Sequence, residues 1–160
     1  MVGLRVVNAD DLDLVMKWEN NPEFWPYSAT SGPFTSDEVI QFIAECQDLG
    51  KHKQCRFLIT DGSQNEPLGA LDLFEFDAVQ KSAGIGILIA EEGNRRKGVA
   101  KSAILYLTSK EDIKRNIRLL WCIIHSDNER SLRLFESCGF KMQGETIYNG
   151  KAAVRLTRYL

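Results

Sequence analysis

Several stretches of this chain hold residue types that could do chemistry together. One is the apolar, glycine-spaced run Gly84-Ile85-Gly86-Ile87-Leu88-Ile89-Ala90. Shortly after it comes a basic segment, Arg95-Arg96-Lys97-Gly98-Val99-Ala100-Lys101. A buried strand that runs into such a segment at a helix start is an arrangement that cradles a pyrophosphate. Backbone N–H groups point outward there, and the helix N-terminus carries partial positive charge. Another block, Asn128-Glu129-Arg130-Ser131-Leu132-Arg133-Leu134-Phe135-Glu136-Ser137-Cys138-Gly139-Phe140, opens on a capping residue and closes on a glycine stop. The acidic alternation Leu71-Asp72-Leu73-Phe74-Glu75-Phe76-Asp77 offers carboxylates. An alkylamine is a cation at pH 7, so Asp72 or Glu75 could take its proton, directly or through water, or hold it by charge.

The basic segment and the Asn128 block, in this order, resemble the acetyl-CoA site of the GNAT superfamily of N-acetyltransferases. The family pattern Arg/Gln-x-x-Gly-x-Gly/Ala is met by Arg95, Gly98 and Ala100, and the second block is similar to Asn-x-x-Ser/Ala-x-x-Leu-Tyr/Phe-Glu-x-x-Gly-Phe. The opening Leu4-Arg5 and Trp18-Glu19-Asn20-Asn21-Pro22 resemble the branch with ribosomal-protein N-terminal and polyamine acetyltransferases.

The resemblance implies acetyl-CoA in a V-shaped gap between the fourth and fifth strands, its pantetheine arm pairing with the backbone of Ile87, Leu88 and Ile89. It assigns the pyrophosphate to main-chain N–H groups of Arg95, Arg96, Lys97, Gly98, Val99 and Ala100, with Lys101 adding charge. Asn128 and Ser131 would line the other wall, Asn128 also capping its helix, and Phe135 would pack on the cofactor. Many members carry at the position of Phe135 a tyrosine that protonates the departing thiolate. Phenylalanine cannot, which passes that role to Tyr148 or solvent. Asn20, Asn21, Phe24, Trp25 and Tyr27 would border the acceptor cleft. The expected acceptor is a small amine or polyamine, drawn by Glu23, Asp72, Glu75 and Asp77. Alternatives are a protein N-terminus and, from another class, a non-catalytic acyl-CoA-binding module.

At 160 residues the chain is long enough for one domain, residues 1–160, with a sizeable core. Its net charge of −2 lacks the basic footprint of a nucleic-acid binder. Cys46, Cys55, Cys122 and Cys138 show no CxxC spacing, and with two histidines beside them they read as buried reduced thiols rather than a metal site. No apolar run reaches the ~20 residues that span a bilayer, and the N-terminus lacks a signal-peptide core. A cytoplasmic protein without membrane partners is expected, and a homo-oligomer is left open.

Periodicity and punctuation give the elements that must position these residues. Leu4–Val7 is a strand; a helix capped by Asn8, Asp10 or Asp11 runs up to Pro22; Glu23–Phe34 is a loop. A second helix starts at Ser36 and stops at Gly50. Strands follow at Cys55–Thr60, Leu68–Phe76 and Lys81–Ala90, the first two joined at Asp61-Gly62. A helix over Arg96–Asn116, a strand at Leu119–Ile124 and a helix from Asn128 to Gly139 come next. A hairpin, Phe140–Tyr148 and Lys151–Tyr159 around Asn149-Gly150, closes the chain. The order βααβββαβαββ predicts a mixed, mostly antiparallel seven-stranded α/β sheet flanked by helices, as in GNAT proteins.

Overall fold

The computed structural model describes residues 2–27, 31–62, 66–94 and 97–160. Its strands are β1 (Gly3–Val6), β2 (Gln47–Asp48), β3 (Gln54–Thr60), β4 (Pro67–Asp77), β5 (Ser82–Ile89), β6 (Leu119–His125), β7 (Lys141–Tyr148) and β8 (Lys151–Tyr159). Its helices are α1 (Leu12–Glu19), α2 (Ser36–Ala44), α3 (Leu49–His52), α4 (Val99–Ser109), α5 (Glu111–Asn116) and α6 (Glu129–Ser137). The sheet runs β1-β3-β4-β5-β6-β8-β7, with β2 pairing on β3. Its pairs are antiparallel except β5–β6. The predicted architecture stands, with β2 as one strand more than expected.

The alternation of side chains along the strands divides the interior in two. Leu71, Leu73, Ile85, Leu120, Cys122 and Leu156 point to the face covered by α4 and α6, where Ile104, Leu107 and Phe135 meet them. Leu58 and Ala70 point to the opposite face, where Val15 and Trp18 of α1 and Val39 and Ile43 of α2 close over them. All four cysteines are free and buried, and burial pushes the thiols of Cys46 and Cys122 up to about 12. Thiols so poor in thiolate at neutral pH are inert fillers of the core.

Local chemistry explains the helix boundaries. Asn8 Oδ1 accepts from Asp10 N (2.8 Å) and the Asp11 carboxylate accepts from Asn8 N (2.9 Å), a reciprocal cap that opens the turn into α1. Arg5 grips both oxygens of Asp11 at 2.8 Å, which holds that carboxyl below its usual range. Thr35, one residue before the expected start, caps α2 through Glu38 N.

Two expected helices are shorter than their sequence pattern. The second ends at Ala44 rather than Gly50, because Cys46 O accepts from Arg56 N and turns the chain back along β3. The predicted helix over Arg96–Asn116 is α4 and α5, parted at Lys110, whose ψ of 130° is extended. Thr108 and Ser109 cause the break: their hydroxyls donate back to the carbonyls of Leu105 and Tyr106 and compete with the helical ladder. Gly98, at φ +76°, sets the start of α4 one residue later, at Val99.

Candidate functional site

The two parallel strands meet only at their beginnings. Ser82, Ala83 and Gly84 pair with Leu119, Leu120 and Trp121. Beyond this point β5 follows β4, while β6 follows β8. The strands therefore part in a V whose apex lies at Gly84 and Trp121. Ile87, Leu88 and Ile89 run along the opening edge. Ile87 and Ile89 pack towards α4 and Leu88 towards α1 and α2, which fixes the strand while its backbone lines the gap.

Past the open end of β5 the chain reaches Gly98. Among the described residues no atom beyond its chain neighbours stands within 4 Å of where a Cβ would sit on this residue, and φ is +76°. None of the described residues crowds the position, so glycine serves the left-handed turn and leaves a cradle among them. Behind it Val99, Ala100 and Lys101 begin α4, whose first-turn N–H groups have no helical acceptor. Lys97 and Lys101 are exposed beside the turn. Arg95 and Arg96 lie outside the described residues. On the facing element, Asn128 Oδ1 accepts from Ser131 N (3.3 Å), so Asn128 caps α6 and Ser131 is half-buried in its first turn. Phe135 is 3% exposed and meets Phe140 edge-on at 5.1 Å, deep beneath α6.

The acidic residues of β4 have different occupations. Asp72 is the Cα partner of Arg56, and its two oxygens accept from Arg56 Nε and Nη2 at 2.7 Å each. Arg56 Nη1 donates to Glu19 Oε1 (2.6 Å), and the guanidinium lies 4.7 Å from the centre of the Phe42 ring. Burial works against the charge of Arg56, and Asp72, then Glu19, outweigh it. Both oxygens of Asp72 are thus engaged by a buried guanidinium, a contact that clamps β4 to β3. Asp77 Oδ1 accepts from Val79 N and Gln80 N and closes a turn.

Glu75 alone in this stretch is exposed and off the ladder. The register shifts between Phe74 and Asp77, and Glu75 sits in the bulge at φ +49°. A left-handed glutamate is a strained residue, of the kind that collects at functional sites. Burial raises the Tyr148 hydroxyl above its ordinary value, and the Glu75 carboxylate raises it further. The two groups thus share one electrostatic environment. His125, buried at the end of β6, has Nε2 2.9 Å from the Tyr148 carbonyl. A carbonyl only accepts, so Nε2 carries the hydrogen and ties Tyr148 to β6.

Between these groups lies a sheet face with residues that the sequence reading missed. Phe74 lies across β5, where a Cβ on Gly84 would come within 2.3 Å of its ring, and meets Trp121 edge-on at 5.4 Å. The Arg155 guanidinium stacks 4.8 Å from the centre of the Trp121 ring. The legible signal was a charged residue, Arg155, inside the apolar stretch Ala152-Ala153-Val154-Arg155-Leu156; Arg56 between Cys55 and Phe57 is another.

The predicted acceptor loop is folded by its own polar groups. Asn20 brackets Phe34, accepting from its N–H at 2.6 Å and donating to its carbonyl at 3.1 Å. Asn21 Oδ1 accepts from Glu23 N, and Trp25 Nε1 donates to the Glu19 carbonyl (2.8 Å). Asn20, Asn21 and Trp25 therefore anchor the segment to the end of α1. The side chain of Tyr27 lies outside the described residues.

Known proteins resemble this chain in sequence and in fold. The family described as the acetyltransferase (GNAT) domain matches residues 2–141. The chain is 24% identical over 144 residues to spermidine N(1)-acetyltransferase of Vibrio cholerae, spanning 90% of this chain and 81% of that protein. It is 26% identical over 156 residues to mouse alpha/beta-tubulin-N-acetyltransferase 9, spanning 88% and 64%. The crystal structure of the Vibrio cholerae spermidine N-acetyltransferase with CoA and spermine superposes with a TM-score of 0.81 at 23% identity, covering 99% of this chain and 95% of that one. With a parted β5–β6 pair, a glycine turn opening α4 and a family match over nearly the whole length, this chain belongs to the GNAT acetyltransferase family.

Proposed function

We propose that this GNAT protein transfers the acetyl group of acetyl-CoA to the primary amine of a small molecule, with Glu75 taking the amine's proton. The observation that carries the reading is the parting of β5 and β6 at Gly84, beside the open Gly98 turn. The residues present fit the group: a Cβ at Gly98 would fill the cradle, and Lys97 and Lys101 supply positive charge next to it. The edge of β5 at Ile87, Leu88 and Ile89 would hold the extended arm as an added strand, and Asn128 and Ser131 face it from α6.

Acetyl-CoA supplies an activated thioester. Glu75 holds the ammonium of the acceptor, removes a proton, and leaves the nitrogen lone pair free to attack the carbonyl carbon. The C–N bond forms as the C–S bond breaks. Phe135 has no proton to give and is buried, so the thiolate takes its proton from the hydroxyl of Tyr148, whose backbone carbonyl accepts from His125 Nε2, or from solvent. A thiolate with a pKa near 8.5 is also a tolerable leaving group in water.

The testing experiment is steady-state release of CoA thiol across small amines and N-terminal peptides, alongside calorimetry of CoA binding. Turnover with small amines supports the reading. Turnover confined to N-terminal peptides would replace the acceptor with a protein, the reading suggested by the tubulin-acetyltransferase relative. Tight CoA binding with no transfer to any amine or peptide would overturn the enzyme reading.

A further inference from the structure

We infer that Arg155 selects the acceptor, and that the amine acetylated here carries a carboxylate which this guanidinium grips. The inference rests on the acetyltransfer reading and narrows its acceptor class. Arg155 lies on β8, paired with Ile123 of β6, on the face that also carries Trp121, the last β6 residue joined to β5. It therefore stands beside the apex of the V, where the amine must arrive. The residue is half-buried, and among the described residues no carboxylate forms an ion pair with it.

Arg56 shows what this chain does with a buried guanidinium when the charge is structural: two carboxylates and an aromatic ring enclose it. Arg155 has the ring alone. On the β7 side its Cα partner is Gly144, which has no side chain to lay over it, and among the described residues no atom stands within 4 Å of where a Cβ would be. The indole occupies one face of the planar cation. Its N–H donors lie in the plane of the cation, a planar fork that can bind a carboxylate through two parallel hydrogen bonds. A diamine or polyamine brings only positive charge to this point and is repelled.

The test compares acceptors that differ by a single carboxylate, lysine against 1,5-diaminopentane and alanine against ethylamine. In wild type, kcat/KM should favour the amino acid by about tenfold or more, the worth of a hydrogen bond to a charged group, and the difference should lie in KM. Arg155→Gln should erase the preference, so that kcat/KM for each amino acid falls to that of its decarboxylated partner. Arg155→Lys keeps the charge and loses the fork, and should retain only part of it; if the glutamine variant does not fold, the lysine variant decides. Equal or better wild-type turnover of the decarboxylated amine, or a preference that survives both substitutions, overturns the assignment and leaves acetyl transfer standing. Should no amine be acetylated, acetyl transfer fails instead. Calorimetric binding of lysine against 1,5-diaminopentane, with CoA present, then judges Arg155 by itself.

Discussion

Beneath α1 and α2 the charges of this protein are matched; over the parting of β5 and β6 they are not. Arg56 sits between Asp72 and Glu19, every contact 2.7 Å or shorter, with Phe42 against its face. A few strands away Arg155 leans on Trp121 without a counter-ion among the described residues, and Glu75 stands exposed at a left-handed bulge. The same residue types thus do opposite work. A buried ion pair with all its donors satisfied fixes geometry, here the end of α1 to β4. Charges left open at the mouth of a gap are the ones proposed above to meet a ligand.

The largest effect should come from breaking the matched region. Arg56→Ala strands Asp72 and Glu19 in a half-buried site, and should cost about 3–5 kcal/mol in denaturant unfolding, the usual loss when one partner of a buried pair is removed. A loss within 1 kcal/mol would mean that the network carries no structural load and that Asp72 is freer than its contacts imply.

In the open region, Glu75→Gln should lower kcat by about a hundredfold, within the range of a general base. If Glu75 only attracts a cationic acceptor, the loss appears in KM and shrinks at high salt. The same variant removes the negative charge that disfavours the Tyr148 phenolate. Spectrophotometric titration should therefore show a tyrosine hydroxyl moving down towards its ordinary value. Unchanged kinetics and an unchanged titration would make Glu75 an ordinary strand carboxylate.

Next in size is Gly98→Glu, which puts a side chain and a negative charge into the cradle. Calorimetry should show CoA affinity falling by about tenfold or more, roughly 1.4 kcal/mol. Full affinity in a folded variant would remove the pyrophosphate from this turn. Smallest is Phe135→Tyr, which adds a hydroxyl beneath α6 against Phe140. It should cost about 1 kcal/mol of stability for burying an unpaired hydroxyl, with turnover preserved. A large gain in turnover would show that the position reaches the reacting atoms after all.

Much of the frame was legible because its signals are local. Asn149 and Gly150, at φ +51° and +75°, form the turn that an Asn-Gly pair favours between β7 and β8. Asn128 caps α6 and Gly139 ends it at φ +89°. The helix splits were not legible, because Lys110 is a good helix former and the break comes from back-bonding by Thr108, which also accepts from Arg158 of β8. The separate surroundings of the acidic residues of β4 were not legible either. Asp72, Glu75 and Asp77 look alike in a string, yet of the three only Glu75 makes no side-chain hydrogen bond or ion pair among the described residues.

The sequence by itself determined seven of the strands and their order along the chain, the glycine turn that opens α4 and the family, since these depend on neighbouring residues and short-range backbone preference. Tertiary structure decided which charges are spent and which are open. Arg56 and Asp72 lie sixteen positions apart and become partners only through the register of β3 and β4. Arg155 meets Trp121 only because β8 returns beside β6. Whether a charge is clamped or waiting depends on what the far parts of the chain bring to it, and no local pattern records that.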